Sequence, residues 1–253
     1  MSVLDKIIDE RKKSLPNSSD FVGRNISATR CDVIERLKRT EGKPSLIAEL
    51  KRSSPTLGQI NSAMTVPKAV KLYSPYASAL SILTEPNFFG GSIDDLAEAR
   101  SITDLPLLRK DFIVDPIQIK EARVSGADFY LLIVAALSRS QLDELLEAGQ
   151  EYNMPALVEV HNEKEMETAL SSNAQILGIN NRNLNDLSID MKTTSRILDH
   201  FSNDINEQIL ISESGYKGKE DLNALPAKVH GVLIGSTFMK SEQPEALLAD
   251  MFG

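Results

Sequence analysis

The chain has 253 residues, 42% of them apolar and 25% charged, a composition that excludes disordered and collagen-like architectures. With 28 basic against 36 acidic side chains the net charge is −8, which argues against a nucleic-acid binder held by bulk attraction to phosphate. A single cysteine, Cys31, leaves no intrachain disulfide and no cysteine-rich zinc site.

In chain order, the first 45 residues carry two apolar stripes at helical spacing, Val3, Leu4, Ile7 and Ile8, then Val33, Ile34 and Leu37. They predict an N-terminal helical extension over 1–45 that either plugs one end of the main body or covers its catalytic face. Asp5, Lys6, Asp9 and Glu10 interrupt the apolar positions, so no secretory signal is expected. Short apolar runs then alternate with helical segments. The runs are 46–50, 79–83, 106–108, 129–134, 156–160, 176–179, 209–212 and 231–234, eight in all. Between them Ser92 and Asn162 read as helix caps with an acid three residues on, and Ser138 with Gln141 as a capping box. Asp115 caps a helix with Pro116 at its first position, and Asp190 starts one through Ile197 and Leu198. The longest apolar stretch, 129–137, is too short to span a bilayer. A cytoplasmic protein with no membrane or nucleic-acid partner is expected.

Strands apolar on both faces and alternating with helices mean a parallel sheet with crossover helices. Eight such units at this length predict an α/β fold, a single (β/α)8 TIM barrel over 1–253. The alternative, an open doubly wound sheet, would carry a glycine-rich fingerprint after its first strand, and neither a dinucleotide motif nor a P-loop occurs.

Chemistry in such a barrel sits at the C-terminal ends of the strands, and there the chain places its unusual residues. Glu49 and Lys51, two residues apart at the end of the first strand, share a face. The third strand ends Leu108-Arg109-Lys110-Asp111-Phe112, and Glu159 lies inside the fifth. Asn180 and Arg182 share a face after the sixth, Glu213-Ser214-Gly215 follows the seventh, and Gly235-Ser236 the eighth. Arg52 and Arg109 alternate with the inward set and read as outward or rim charges. Glu159 alone, or Glu49 with Lys51, could be a structural ion pair. Isolated charges are costly to bury, however, so their recurrence at one level points to a site. The glycines after strands seven and eight read either as ordinary turns or, with a short helix starting at Ser236, as a phosphate cradle. His161, His200 and His230 are scattered, and no zinc-protease or nucleophile-elbow motif occurs. Phe88, Phe89 and Phe112 either pack the loops or line an aromatic pocket.

Several blocks together resemble indole-3-glycerol phosphate synthase. They are Ile47-Ala-Glu-Leu-Lys-Arg-Ser-Ser-Pro55, Leu80-Ser-Ile-Leu-Thr-Glu85 with Phe88-Phe89-Gly-Gly-Ser92, and Leu107-Leu-Arg-Lys-Asp-Phe112. Leu157-Val-Glu-Val-His161, Gly178-Ile-Asn-Asn-Arg-Asn-Leu184, Ser212-Glu-Ser-Gly215 and Gly231-Val-Leu-Ile-Gly-Ser236 follow in order, so the likeness spans nearly the whole chain. Thr56-Leu57-Gly58 departs from the Ser then Lys-Gly of many relatives, and Asn183 stands where Asp is common.

The resemblance implies a carboxy-lyase of tryptophan biosynthesis that closes the indole ring with loss of carbon dioxide and water. It implies Lys110 as general acid on the ribulose carbonyl, and Lys51 holding the substrate carboxylate or donating in the dehydration. Glu159 and Glu49 become the acid–base candidates for water loss, and Asn180 a positioning group. Arg182 would contact a substrate anion, Phe112 and Phe89 the aromatic ring, and Ser54, Gly215, Gly235 and Ser236 the phosphate. Glu213 and Ser214 join the same mouth. No metal or organic cofactor is called for, the partner is a small molecule with carboxylate and phosphate charges, and a monomer is expected. Three rivals stand beside this reading. One is a Schiff-base, aldolase-like barrel using Lys110 or Lys51. A second is the phosphoribosylanthranilate isomerase type, which needs a catalytic cysteine, whereas Cys31 precedes the first strand. The third is an inactive phosphate-binding barrel, at odds with the presence of Lys51, Lys110 and Glu159.

Overall fold

Parallel strands close into a barrel: β1 (Ser45–Leu50), β2 (Ala79–Leu83), β3 (Leu107–Lys110), β4 (Phe129–Ile133), β5 (Ala156–Val160), β6 (Ile176–Asn180), β7 (Ile209–Glu213) and β8 (Gly231–Ile234). The structure is a computed structural model describing residues 2–21, 31–40, 42–184 and 186–253, so positions 1, 22–30 and 41 of the expected extension lie outside the described residues. Each strand pairs with its neighbour in sequence, and β8 returns to β1 with Ser45 opposite Gly231.

Alternation along the strands sorts the side chains into two layers. Ile47, Leu108, Leu131, Leu157, Ile211 and Leu233 point inward and fill the lumen. Leu46, Leu80, Tyr130, Val158, Leu177 and Val232 point outward beneath the helices. Every expected run is a strand, and the ends coincide at 79–83, 156–160 and 231–234 and shift by one or two residues in the other five. β3 begins one residue later than its run and continues to Lys110, while β6 and β7 extend to Asn180 and Glu213. Those polar residues are therefore the last inward positions of their strands.

The helices are α1 (Val3–Lys13), α2 (Val33–Leu37), α3 (Val66–Tyr73), α4 (Pro86–Phe89), α5 (Ile93–Ile102), α6 (Pro116–Val124), α7 (Arg139–Glu151), α8 (Glu163–Leu170), α9 (Thr193–Phe201), α10 (Lys219–Asn223), α11 (Ser236–Lys240) and α12 (Pro244–Phe252). Ser92, Asp115, Ser138 and Asn162 cap α5, α6, α7 and α8 as expected, each accepting a backbone N–H of the first turn. Asp190 does not start α9. Its carboxylate takes the Lys192 N–H at 3.0 Å in a turn ahead of the helix, the local bond that Asp favours in loops. The cap of α9 is tertiary instead, with Asn181 Oδ1 accepting the Thr194 N–H at 3.2 Å.

The extension works at both ends of the barrel. Val33 and Leu37 of α2 join the lumen core from its N-terminal end, where the Ser45 hydroxyl donates to the Leu37 carbonyl at 2.8 Å. Val3, Leu4 and Ile7 of α1 line the opposite mouth. Arg109 points outward as expected yet is no rim charge, being 1% exposed between barrel and helices. A guanidinium in that dry layer has to be paired. It reaches Asp111 at 3.0 Å and Glu121 at 2.6 Å, and Arg11 of α1 joins the same Asp111 carboxylate at 2.9 Å. Arg52, half-buried, pairs with Asp95 at 2.6 Å. Among the described residues no helix is long and apolar enough to cross a membrane.

Candidate active site

The C-terminal strand ends surround a cavity of about 600 Å³, and every site candidate named above except Phe88 lines it. At its centre Lys110 Nζ donates to Glu159 Oε2 at 2.9 Å and to Glu213 Oε2 at 2.6 Å. Beside them Lys51 Nζ lies 2.6 Å from Glu49 Oε1. The three carboxylates are nearly inaccessible to water. Two glycines make room for them. A Cβ on Gly178 would collide with Glu213 Oε1, and one on Gly235 would stand 2.5 Å from Glu49 Oε1.

Burial penalises the charged form of each group, so the arrangement decides which stays ionised. Desolvation pulls the Lys110 ammonium down, but Glu159, Glu213 and Glu49 outweigh it and hold its pKa above the usual lysine range. Desolvation would raise Glu159, yet Lys110 and His161 keep it well below ordinary carboxylate values. Glu213 goes the other way: desolvation, aided by the charges of Glu159 and Glu49, prevails over Lys110 and pushes it up to about 7. Its Oε1 is buried without a hydrogen-bond partner, which favours a protonated carboxyl. These groups titrate as a set.

The aromatic end is built by α4. Pro86 opens this short helix, and the fully buried Glu85 carboxylate accepts the N–H groups of Asn87, Phe88 and Phe89 at 2.9, 2.7 and 3.0 Å. Phe89 is thereby set 5.9 Å from Phe112, ring centre to ring centre, while Phe88 is not part of the cavity wall. The Phe112 N–H is held by Asp111 Oδ1 at 2.8 Å, so the buried arginine cluster also fixes this ring. Leu57, at the departure in loop one, is 40% exposed on the rim.

Across the cavity, Ser214 and Gly215 adopt left-handed backbone with φ of 67° and 100°. A non-glycine residue in that region is strained and must be held by its surroundings. Asn181 Nδ2 grips the Ser214 carbonyl at 3.1 Å, the Tyr216 hydroxyl donates to Ser212 Oγ at 2.6 Å, and Thr237 Oγ1 donates to the Tyr216 carbonyl at 2.6 Å. The last bond joins this turn to the start of α11, beside Gly235 and Ser236. Ser54 of loop one, Lys217 and Lys240 also line the cavity. Asn180 Oδ1 accepts the Arg182 N–H at 3.0 Å, and Arg182 Nη1 donates to the Leu187 carbonyl at 2.8 Å, which fixes this guanidinium at the mouth.

A family model described as indole-3-glycerol phosphate synthase matches residues 4–251. The chain belongs to the indole-3-glycerol phosphate synthase family. A relative of that name from Campylobacter jejuni is 40% identical over 250 residues, covering 95% of this chain and 96% of that protein. Another from Lachnospira eligens is 35% identical over 257 residues, covering 98% and 96%. In fold alone the chain resembles a crystal structure of KGPDC from Streptococcus mutans, with a TM-score of 0.62 at 13% identity over 83% of this chain and 95% of that one. As a member of this family the chain is a lyase of tryptophan biosynthesis acting on a small phosphorylated molecule, and the aldolase, isomerase and inactive-barrel readings give way.

The geometry adds one residue to the sequence reading, His161, and gives Glu213 a partner. Glu213, which the sequence places only at the same mouth, bonds Lys110 directly. His161, one of three histidines scattered in sequence, has its Nε2 3.1 Å from Glu159 Oε1, behind the cavity wall. The spacing of two residues from Glu159 to His161 repeats that of Glu49 to Lys51 and Asn180 to Arg182, and is the signal that would have found it. The other histidines stay structural. His230 accepts the Leu210 N–H at 3.1 Å, and His200 packs edge-on to Phe201.

Proposed function

We propose that the cavity binds 1-(2-carboxyphenylamino)-1-deoxyribulose 5-phosphate and converts it to indole-3-glycerol phosphate, carbon dioxide and water with the lysines and carboxylates described above. The aromatic ring lies toward Phe89 and Phe112, and the phosphate toward Ser54, Ser214, Gly215, Gly235 and Ser236. The observation that carries this reading is Lys110, an ammonium bonded to two carboxylates and open to the cavity.

In the ring-closing step the aromatic carbon bearing the carboxylate attacks the ribulose carbonyl carbon. Lys110 gives the carbonyl oxygen its proton, so charge does not build on that oxygen. The bond to the carboxylate then breaks, carbon dioxide leaves, and its electron pair restores the aromatic ring. Lys51, beside Glu49, holds that carboxylate until it departs or donates in the dehydration. Arg182 holds an anionic group of the substrate, and Asn180 orients it. In the last step the new hydroxyl leaves as water with a proton from an acid, and a base takes a proton from the five-membered ring. Glu159, kept ionised, suits the base, and Glu49 is its partner candidate. Glu213, near neutrality, suits a group that takes up and returns a proton.

The test is to add the substrate and follow indole fluorescence. Lys110→Ala is expected to lower turnover at least ~100-fold with the far-ultraviolet circular dichroism unchanged. Near-normal turnover would remove Lys110 from the acid role. We also infer that the chain acts as a monomer in the cytoplasm. Light scattering at assay concentration checks the first point. The lone Cys31 thiol, donating to the Asp104 carbonyl at 2.8 Å, is compatible with a reducing compartment.

A further inference from the structure

Glu159 has two carboxylate oxygens, and each has its own cation. Oε2 takes Lys110 at 2.9 Å inside the cavity, and Oε1 faces His161 Nε2 at 3.1 Å outside it. The second contact is an ion-pair approach, not an aligned hydrogen bond. His161 in turn places Nδ1 3.0 Å from Glu165 Oε2, and that same oxygen accepts the His161 backbone N–H at 2.8 Å. Glu165 is itself clamped. Asn162 Nδ2 donates to its Oε1 at 2.6 Å, and its own N–H goes to Asn162 Oδ1 at 3.0 Å as the cap of α8. The start of α8 is thus connected through Glu165 and His161 to Glu159.

We propose that His161 is a positioning residue for Glu159: as an imidazolium between two carboxylates it pins one oxygen of Glu159 and fixes the other on Lys110. The inference deepens the roles proposed above and rests on Glu159 taking part in turnover. A neutral ring would point a lone pair at one of its two carboxylate neighbours, so the geometry asks for both nitrogens to carry protons. The charged groups facing the ring are Glu159 on β5 and Glu165 on α8, with Lys110 of β3 beyond Glu159. The short turn Val134–Ala136, packed on β5 and α8, brings no titratable side chain. Burial of the ring works against its charge, but the two glutamates raise its pKa to about 9. The ring is therefore cationic through the neutral range.

The test uses the whole enzyme in two measurements. Proton–nitrogen spectra resolve the imidazole rings of the three histidines. One ring is expected to be protonated on both nitrogens at pH 8, to disappear in His161→Gln, and to titrate at lower pH in Glu159→Gln. In steady state the parent is expected to show an inflection in kcat near pH 9, and His161→Gln to lose it while lowering kcat ~10-fold with KM within about threefold. Glu165→Gln should move that inflection to lower pH. A merely structural histidine would scale kcat equally at every pH. A neutral single-tautomer ring at pH 8, or a parent and a His161→Gln variant with superimposable pH profiles, overturns the inference. If Glu159→Gln is inactive in that case, the role of Glu159 survives alone. If Glu159→Gln is fully active, both fail together.

Discussion

Gly178 is the smallest part of the site and the easiest to perturb. It lies inward on β6 in register with Glu159, and Glu213 fills the space a side chain would take. Gly178→Ala puts a methyl inside van der Waals contact with Glu213 Oε1 and 3.2 Å from Leu157 Cδ1. To regain an ordinary contact of about 3.5 Å the carboxylate must withdraw by about 1 Å. The Lys110–Glu213 bond is now 2.6 Å, and the same withdrawal stretches it to about 3.6 Å, past hydrogen-bond reach. A hydrogen bond with a charged partner, here the Lys110 ammonium, contributes about 1.5–3 kcal/mol, so turnover should fall ~10- to 150-fold if that contact acts in the transition state. The control is Gly231→Ala at the other end of the barrel, where the new methyl meets Ser45 Oγ and the Ser45 carbonyl. Both substitutions overpack the lumen and lower Tm, each costing about 1–3 kcal/mol. Only Gly178→Ala should lower kcat per folded molecule. The assay is indole fluorescence with calorimetry in parallel, and the absence of tryptophan leaves a low protein background. A Gly178→Ala enzyme within twofold of the parent would refute the argument that the Lys110–Glu213 contact matters to turnover.

Arg11→Met removes the link from α1 to the buried Asp111, which keeps Arg109 and Thr84 as donors. A loss of about 1–3 kcal/mol in unfolding free energy is expected. KM should rise more than kcat falls, because α1 and Phe112 line the cavity, and denaturant titration with steady-state kinetics checks both. For Glu213 the sign follows from its raised pKa: folding then binds a proton that the unfolded chain releases, so its contribution declines as pH rises through about 7. Glu213→Gln should accordingly gain Tm relative to the parent between about pH 5 and pH 8 while losing activity. A Tm difference independent of pH would contradict that titration.

The barrel was readable because its strands are buried on both faces, which leaves unbroken apolar runs that no amphipathic helix has. That same criterion shortened β3, β6 and β7. A run defined by apolarity stops where Lys110, Asn180 and Glu213 begin, although the backbone pairing continues beneath them. Parity along each strand was enough to send Glu49, Lys51, Asn180 and Arg182 to one mouth. Which of them touch was not readable, because the contacts between Lys110, Glu159 and Glu213 join strands more than a hundred residues apart at their extremes and exist only after closure. Arg109 and Asp190 illustrate the same limit. The partner of Arg109 on α6, and the cap that Asn181 lends to α9, come from tertiary packing and leave no local trace.

The plug formed by α2 bears on the order in which the molecule is assembled. Its Val33 and Leu37 rest on a lumen that is complete only when Gly231–Ile234 pairs with β1. A polypeptide made from its N-terminus therefore carries this apolar face uncovered through most of its synthesis. The segment that emerges first is among the last to find its place. Closure of such distant pairs is slow, and exposed apolar surface during that wait favours association between chains. The stretch 33–37, rather than the catalytic mouth, is thus where aggregation during refolding should start.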